Sequence, residues 1–273
     1  MNDSTPLVIE SSCISHAWGE LFLHTFDCAK RHLRPVVLSV TGLSDQPPVE
    51  DPAIRQAVDA AMDAAEKNTV RVSGLMIFPY EMWKRRGRPS CREFSDFCVD
   101  QVVPRLKALD KRNRYGTYFE RMMRFTGVRN GRLHAVNQLE FVIGLLKRPR
   151  RSRHSALQIA CFDPAKDHTG QAVRGFPCLQ QVSVAQNDDG RLAINAYYPA
   201  QYIFDRAYGN YLGLCHLGQF LAHETNLEFA QLNCYIGQPI LGDVRKRNVR
   251  GLADLVRAQI HGQPVGEPTD DGE

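Results

Sequence analysis

The stretch RGFPCLQQVSVAQNDDGRLAINAYYP, residues 174–199, decides how the chain is read. Residues 179–185 alternate apolar and polar side chains, the period of a half-buried strand. Asn187-Asp188-Asp189-Gly190 is a hairpin turn, and residues 191–198 are the return strand. Pro177-Cys178 stands at the entrance to this hairpin. Local chemistry leaves Cys178 with two readings: a nucleophile, or one more small buried hydrophobe.

Outward from the hairpin, residues 210–224 carry Leu212, Leu217, Phe220 and Leu221 at helical spacing. Residues 227–236 read as a strand, and residues 243–259 as a final helix. Upstream, the pattern predicts helices over 14–32, 53–67, 94–109 (interrupted at Pro104) and 133–147, strands over 35–42 and 155–162, and a strand or extended segment over 69–78. Asn130-Gly131 is a turn. His134, His216 and His223 fall on predicted helices, where packing or surface roles outweigh catalysis. The expectation is an α+β fold in one domain over residues 1–262, with 263–273 a polar, disordered tail.

The chain has 273 residues, 43% hydrophobic and 23% charged, an ordinary globular composition. Its net charge of +4 does not argue for nucleic acid. The basic residues cluster, however, in Lys147-Arg148-Pro149-Arg150-Arg151-Ser152-Arg153-His154. Such a run is a solvated loop or an anion site for phosphate or carboxylate. The eight cysteines are scattered, with no CxxC pair and no metal-ligand spacing. The sequence shows no signal peptide and no apolar run of membrane-spanning length. Together these predict a cytoplasmic protein with reduced thiols, no metal and no membrane partner. GxGxxG, P-loop, HExxH and GxSxG motifs are absent.

The order of short motifs from residue 115 to 243 resembles the thymidylate synthase and pyrimidine hydroxymethylase superfamily. Tyr115-Gly116, Asn130-Gly131-Arg132, Gln138, Leu146-Lys147, Phe162-Asp163-Pro164, Pro177-Cys178, Gly190-Arg191-Leu192, Asn210 and Leu227-Glu228 follow the family's sequence of motifs. Ile77-Phe78-Pro79 and Trp83 are similar to its divergent hydroxymethylase-like branch. The resemblance implies a large twisted mixed β-sheet flanked by helices and a homodimer formed by packing sheet faces. It implies Cys178 as the nucleophile that adds to a pyrimidine ring carbon, with Tyr115 as its catalytic neighbour. A one-carbon unit, methyl or hydroxymethyl, would come from 5,10-methylenetetrahydrofolate. Asn210 would read the ring edge; its alternative reading is a helix N-cap. Arg151, Arg153 and Arg174 would bind phosphate or lower the thiol pKa.

Departures from the family pattern accompany the matches. Leu179 stands where the family has histidine, and Tyr198-Pro199-Ala200 where it has a glutamine-arginine-serine grip on phosphate. Its late histidine and tyrosine fall near Ile240 and Gly242, and only Glu81 and Glu120 offer themselves as the catalytic glutamate. No residue is singled out for the folate. The sequence therefore also fits a catalytically degenerate binding protein on the same fold.

Overall fold

Alternating side chains build the sheet. Val36, Leu38 and Val40 on one strand, Leu232, Cys234 and Ile236 on the next, and Ile194, Ala196 and Tyr198 on the third are all buried on one face. The computed structural model describes residues 5–28, 34–109, 111–148, 153–170 and 177–262. Its strands are β1 (Leu7–Ser11), β2 (Val36–Val40), β3 (Phe125–Arg129), β4 (Arg132–Val136), β5 (Gln158–Ala160), β6 (Gln181–Gln186), β7 (Arg191–Tyr202) and β8 (Glu228–Ile240). Six of them form a mixed sheet in the order β1-β2-β8-β7-β6-β5. β1 runs parallel to β2 and β7 parallel to β8, whereas the other neighbours are antiparallel. The expected α+β class and mixed sheet are present.

The helices are α1 (Ile14–Asp27), α2 (Pro52–Ala64), α3 (Val70–Leu75), α4 (Tyr80–Arg85), α5 (Cys91–Phe97), α6 (Val103–Leu109), α7 (Tyr118–Met123), α8 (Gln138–Leu146), α9 (Pro164–Asp167), α10 (Tyr208–Thr225) and α11 (Arg250–His261). Between β7 and β8, α10 crosses the buried face of the sheet. It is enclosed on nearly every side, from Tyr208 to Ala222, so its sequence shows little amphipathic contrast. Its buried leucines and Phe220 each contribute about 1.5–3 kcal/mol of burial. Two glycines let it approach its neighbours. A Cβ at Gly209 would lie 2.5 Å from Val70 O on α3, and one at Gly218 would lie 2.4 Å from the Phe229 ring on β8.

Two sequence expectations of element type are corrected. The extended segment over residues 69–78 is instead the helix α3, capped by the Thr69 side chain. Val70 is buried and Val72 exposed, and the segment packs as a helix on α10 rather than joining a sheet. The single helix over 133–147 is instead a hairpin strand, β4, followed by α8. Asn130 and Gly131 both take positive φ, the geometry of a tight hairpin turn, and Asn137 caps α8 by accepting from Glu140 N. His134 consequently sits on an exposed strand, and Val136, expected on the apolar stripe of a helix, is exposed. The segment 94–109 is interrupted ahead of Pro104 rather than at it, and Pro104 itself lies in the first turn of α6. A π turn, Cys98–Val102, with Val103 N–H reaching Cys98 O, precedes Pro104, whose ring crowds the carbonyl four residues back. The strand β1 went unread, and the tail 263–273 lies outside the described residues.

The opposite face of the sheet is open. Ser39, Asn195, Asn233 and Ser183 form a hydrogen-bonded polar strip along it. Tyr197 and Tyr235 pack side by side on it at 5.7 Å, each 44% exposed.

Candidate functional site

Cys178 lies in the short loop that feeds β6, and the loop is fixed on both sides. Leu179 is fully buried and anchors it in the core. Gln180 Nε2 donates to Pro177 O at 2.8 Å, and Gln180 N–H donates to Tyr197 O at 2.9 Å. From beneath, Tyr118 Oη accepts the backbone N–H of Cys178 at 3.0 Å and of Leu179 at 3.3 Å. Tyr118 is the first residue of α7, whose N-cap Thr117 accepts from Glu120 N.

One turn along α7, Arg121 forms a two-pronged bond with Asp167, both contacts at 2.9 Å, and also donates to Cys161 O at 3.2 Å. Asp167 accepts from Asp163 N at 2.7 Å. Gln138, the first residue of α8, donates to Arg121 O and Ala160 O and accepts from Ala160 N. Both charged partners are buried, so removing either one costs about 3–5 kcal/mol. Gln138 and Asp163 thus brace Arg121, on the helix that also carries Tyr118, and Asp167, on the turn beside it.

The thiol itself is half-buried. Burial pushes its pKa up, and the Arg206 guanidinium opposes that push. The sequence expectation of a lowered pKa is therefore corrected: desolvation outweighs the cation. Five other thiols are driven up by burial, Cys91, Cys98 and Cys161 to about 12 and Cys215 and Cys234 further. Cys98 and Cys161 also face arginines, but both are buried. Cys178 alone among these six combines partial exposure with a facing arginine.

Arg206 belongs to the π turn Ile203–Ala207 that leads into α10. Asn210 follows it by one helical turn and is 4% exposed. It sits inside α10, whose N-cap is Ala207, so the N-cap reading of Asn210 is ruled out. Among the described residues no hydrogen bond holds its side chain. Tyr198 is fully buried, and its Oη has no hydrogen-bond partner among the described residues. The segment Tyr198-Pro199-Ala200 is thus core and strand edge, not a polar grip.

Of the other expected site residues, Tyr115 ends the 3-10 turn Lys111–Tyr115, and its Oη accepts from Arg114 at 2.9 Å. Arg153 is exposed at the start of the short 3-10 turn His154–Ala156. Arg151 and Arg174 lie outside the described residues. Glu120 pairs with Lys107 at 2.7 Å, and Glu81 pairs with Lys84 at 3.1 Å.

Tyr118 and Arg206 were missed in the sequence. Tyr118 stands three residues after Tyr115, one turn further along the same segment. Arg206 precedes Asn210 by four residues, a spacing that places two side chains on one side of a helical turn. Among the described residues no group of His, Cys, Asp and Glu is placed to hold a metal, and no helix is long and apolar enough to cross a membrane. No protein-family model and no curated protein matches the chain.

Proposed function

We propose that the chain is a divergent thymidylate synthase-like transferase that acts on a pyrimidine-like ring through a cysteine adduct. The observation that carries this reading is the Cys178 thiol, partly buried, within the field of the Arg206 charge, on a loop clamped by Tyr118. A hairpin that begins at the thiol and is followed by a helix carrying Asn210 in its first turn supports it.

In this reading Cys178 Sγ gives its proton to solvent water as the ring approaches, and the Arg206 charge favours the thiolate that forms. The sulfur lone pair forms the C6–S bond, and the C5–C6 π pair moves onto C5 and the neighbouring carbonyl. That electron-rich C5 is the atom that takes up a one-carbon electrophile. Loss of the C5 proton then returns the pair to the ring, and the C6–S bond breaks with the pair leaving on sulfur. Asn210 presents an amide that both donates to and accepts from a ring edge. The resemblance implies a folate-borne one-carbon unit as the electrophile. The described residues around Cys178 include none that singles out a pterin. The open sheet face, with Tyr197 and Tyr235, is the proposed homodimer surface.

A ring with fluorine at C5 cannot release that substituent as a proton, so its adduct persists. Incubation with 5-fluoropyrimidine nucleosides and nucleotides should add the mass of one ring compound to the peptide containing Cys178. Absence of any adduct, across the panel and with methylenetetrahydrofolate present, contradicts the proposal.

A second reading, a binding protein that has lost catalysis, is favoured by one observation: burial holds the Cys178 thiol above its ordinary pKa. It predicts ring binding without a covalent product.

A further inference from the structure

A cleft of about 480 Å³ lies among α2, α3, α4, α5 and α10. Neither Cys178 nor Tyr118, Arg206 or Asn210 lines it. Its size is that of a small-molecule site.

The walls are apolar and flat. Phe78 and Tyr80 are buried against it. His216, on α10, stacks on Tyr80 with ring centroids 4.3 Å apart and planes 6° from parallel. Burial holds His216 down to about 4, so its imidazole is neutral and adds no charge.

The charge comes from the rim. Arg55 is spent on Glu50 at 2.6 Å and Asp59 at 2.8 Å, and Glu81 is held by Lys84. Arg71, Arg85 and Arg86 also line the cleft. None of the three has a carboxylate partner among the described residues. Arg86 lies over the Phe97 ring, 3.7 Å from its centroid. An apolar pocket ringed by three such guanidinium groups disfavours a cation. It also leaves positive charge unanswered beside a purely apolar ligand, whereas an anion of planar geometry can take bidentate bonds from arginine.

We propose that this cleft is a second ligand site, which takes a ring-bearing organic anion, a carboxylate or phosphate ester on a flat apolar body. The proposal does not depend on the reading of Cys178. Ring and anion have separate receivers: the Phe78, Tyr80 and His216 wall takes the ring, and Arg71 and Arg85 take the charge.

Calorimetric titration of the full chain with four probes tests it: 2-naphthoate, 1-naphthyl phosphate, 2-naphthalenemethanol and 2-naphthylmethylamine. The two anions should bind at least tenfold more tightly than the alcohol, and the amine most weakly. The double variant R71A/R85A changes only exposed side chains. It should weaken both anions at least tenfold and leave the alcohol within twofold. Leu212→Trp, which fills the cleft, should abolish binding of all four, with folding checked by circular dichroism. Cys178→Ala should change nothing. Equal affinity for anion and alcohol, anion binding that survives R71A/R85A, or binding lost in Cys178→Ala would each overturn the proposal, as would no binding at all.

Discussion

Tyr118 Oη holds the backbone of Cys178, accepting its N–H at 3.0 Å and that of the next residue, Leu179, at 3.3 Å. A phenol buried under a loop is thus the acceptor for two amides that β6 does not use. Tyr118→Phe keeps the ring and removes the oxygen. It should cost about 1–3 kcal/mol in urea unfolding and should change the alkylation rate of Cys178 by several-fold. Unchanged stability and an unchanged rate would show that the loop does not rely on this clamp.

The charge facing the thiol makes a separate prediction. Burial raises the Cys178 pKa and Arg206 counters it. Alkylation follows the thiolate, so the rate of Cys178 labelling by iodoacetamide should still be climbing above the pH at which free cysteine levels off. Arg206→Ala should push the profile further up, lowering the rate at pH 8. Peptide mapping by mass spectrometry separates Cys178 from the other seven thiols. A profile that Arg206→Ala leaves in place would remove Arg206 from the site.

His216 predicts acid sensitivity. Its folded value, about 4, lies below the ordinary 6.5, chiefly because burial opposes the charged form. Between those values the unfolded chain binds a proton that the folded chain refuses. Stability from this group is complete above pH 6.5 and is lost as pH falls towards 4. The loss should be roughly 2 kcal/mol, and His216→Gln should flatten that part of the stability–pH curve. Parallel curves for the two proteins would contradict the assignment.

Much of this was legible in the sequence where one period dominates. The β6–β7 hairpin announced itself through alternation and Asn187 to Gly190, and α10 through its leucines. Reading failed where tertiary contact overrides local preference. Val70 and Val72 suggested a strand, but Gly74 and Gly209 let two helices touch there, and a helix forms. Val136 fits a helical stripe with Leu139, Ile143 and Leu146, although the turn at Asn130-Gly131 commits it to β4. At the site, a motif could point to Cys178 but not to Tyr118 or Arg206. Their roles come from the fold bringing three distant segments together.

The open sheet face predicts self-association. Tyr197 and Tyr235 stand on adjacent strands with their rings 5.7 Å apart and nearly half exposed. Aromatic side chains in such a position suit a buried interface core. Sedimentation should report a dimer, and the double variant Y197D/Y235D should sediment as a folded monomer. A monomeric parent chain, or a dimer indifferent to both substitutions, would place the interface elsewhere or remove it.

The claim on which the rest turns is that Cys178 adds to a ring and thereby activates the neighbouring carbon. Pyrimidine nucleosides and nucleotides carrying tritium at C5 test it directly, incubated with methylenetetrahydrofolate and followed by release of tritium to water. At least one compound of the panel should release tritium, and Cys178→Ser, whose oxygen is a far poorer nucleophile at neutral pH, should abolish that release. No release from any compound, or release that Cys178→Ser leaves intact, would contradict the account.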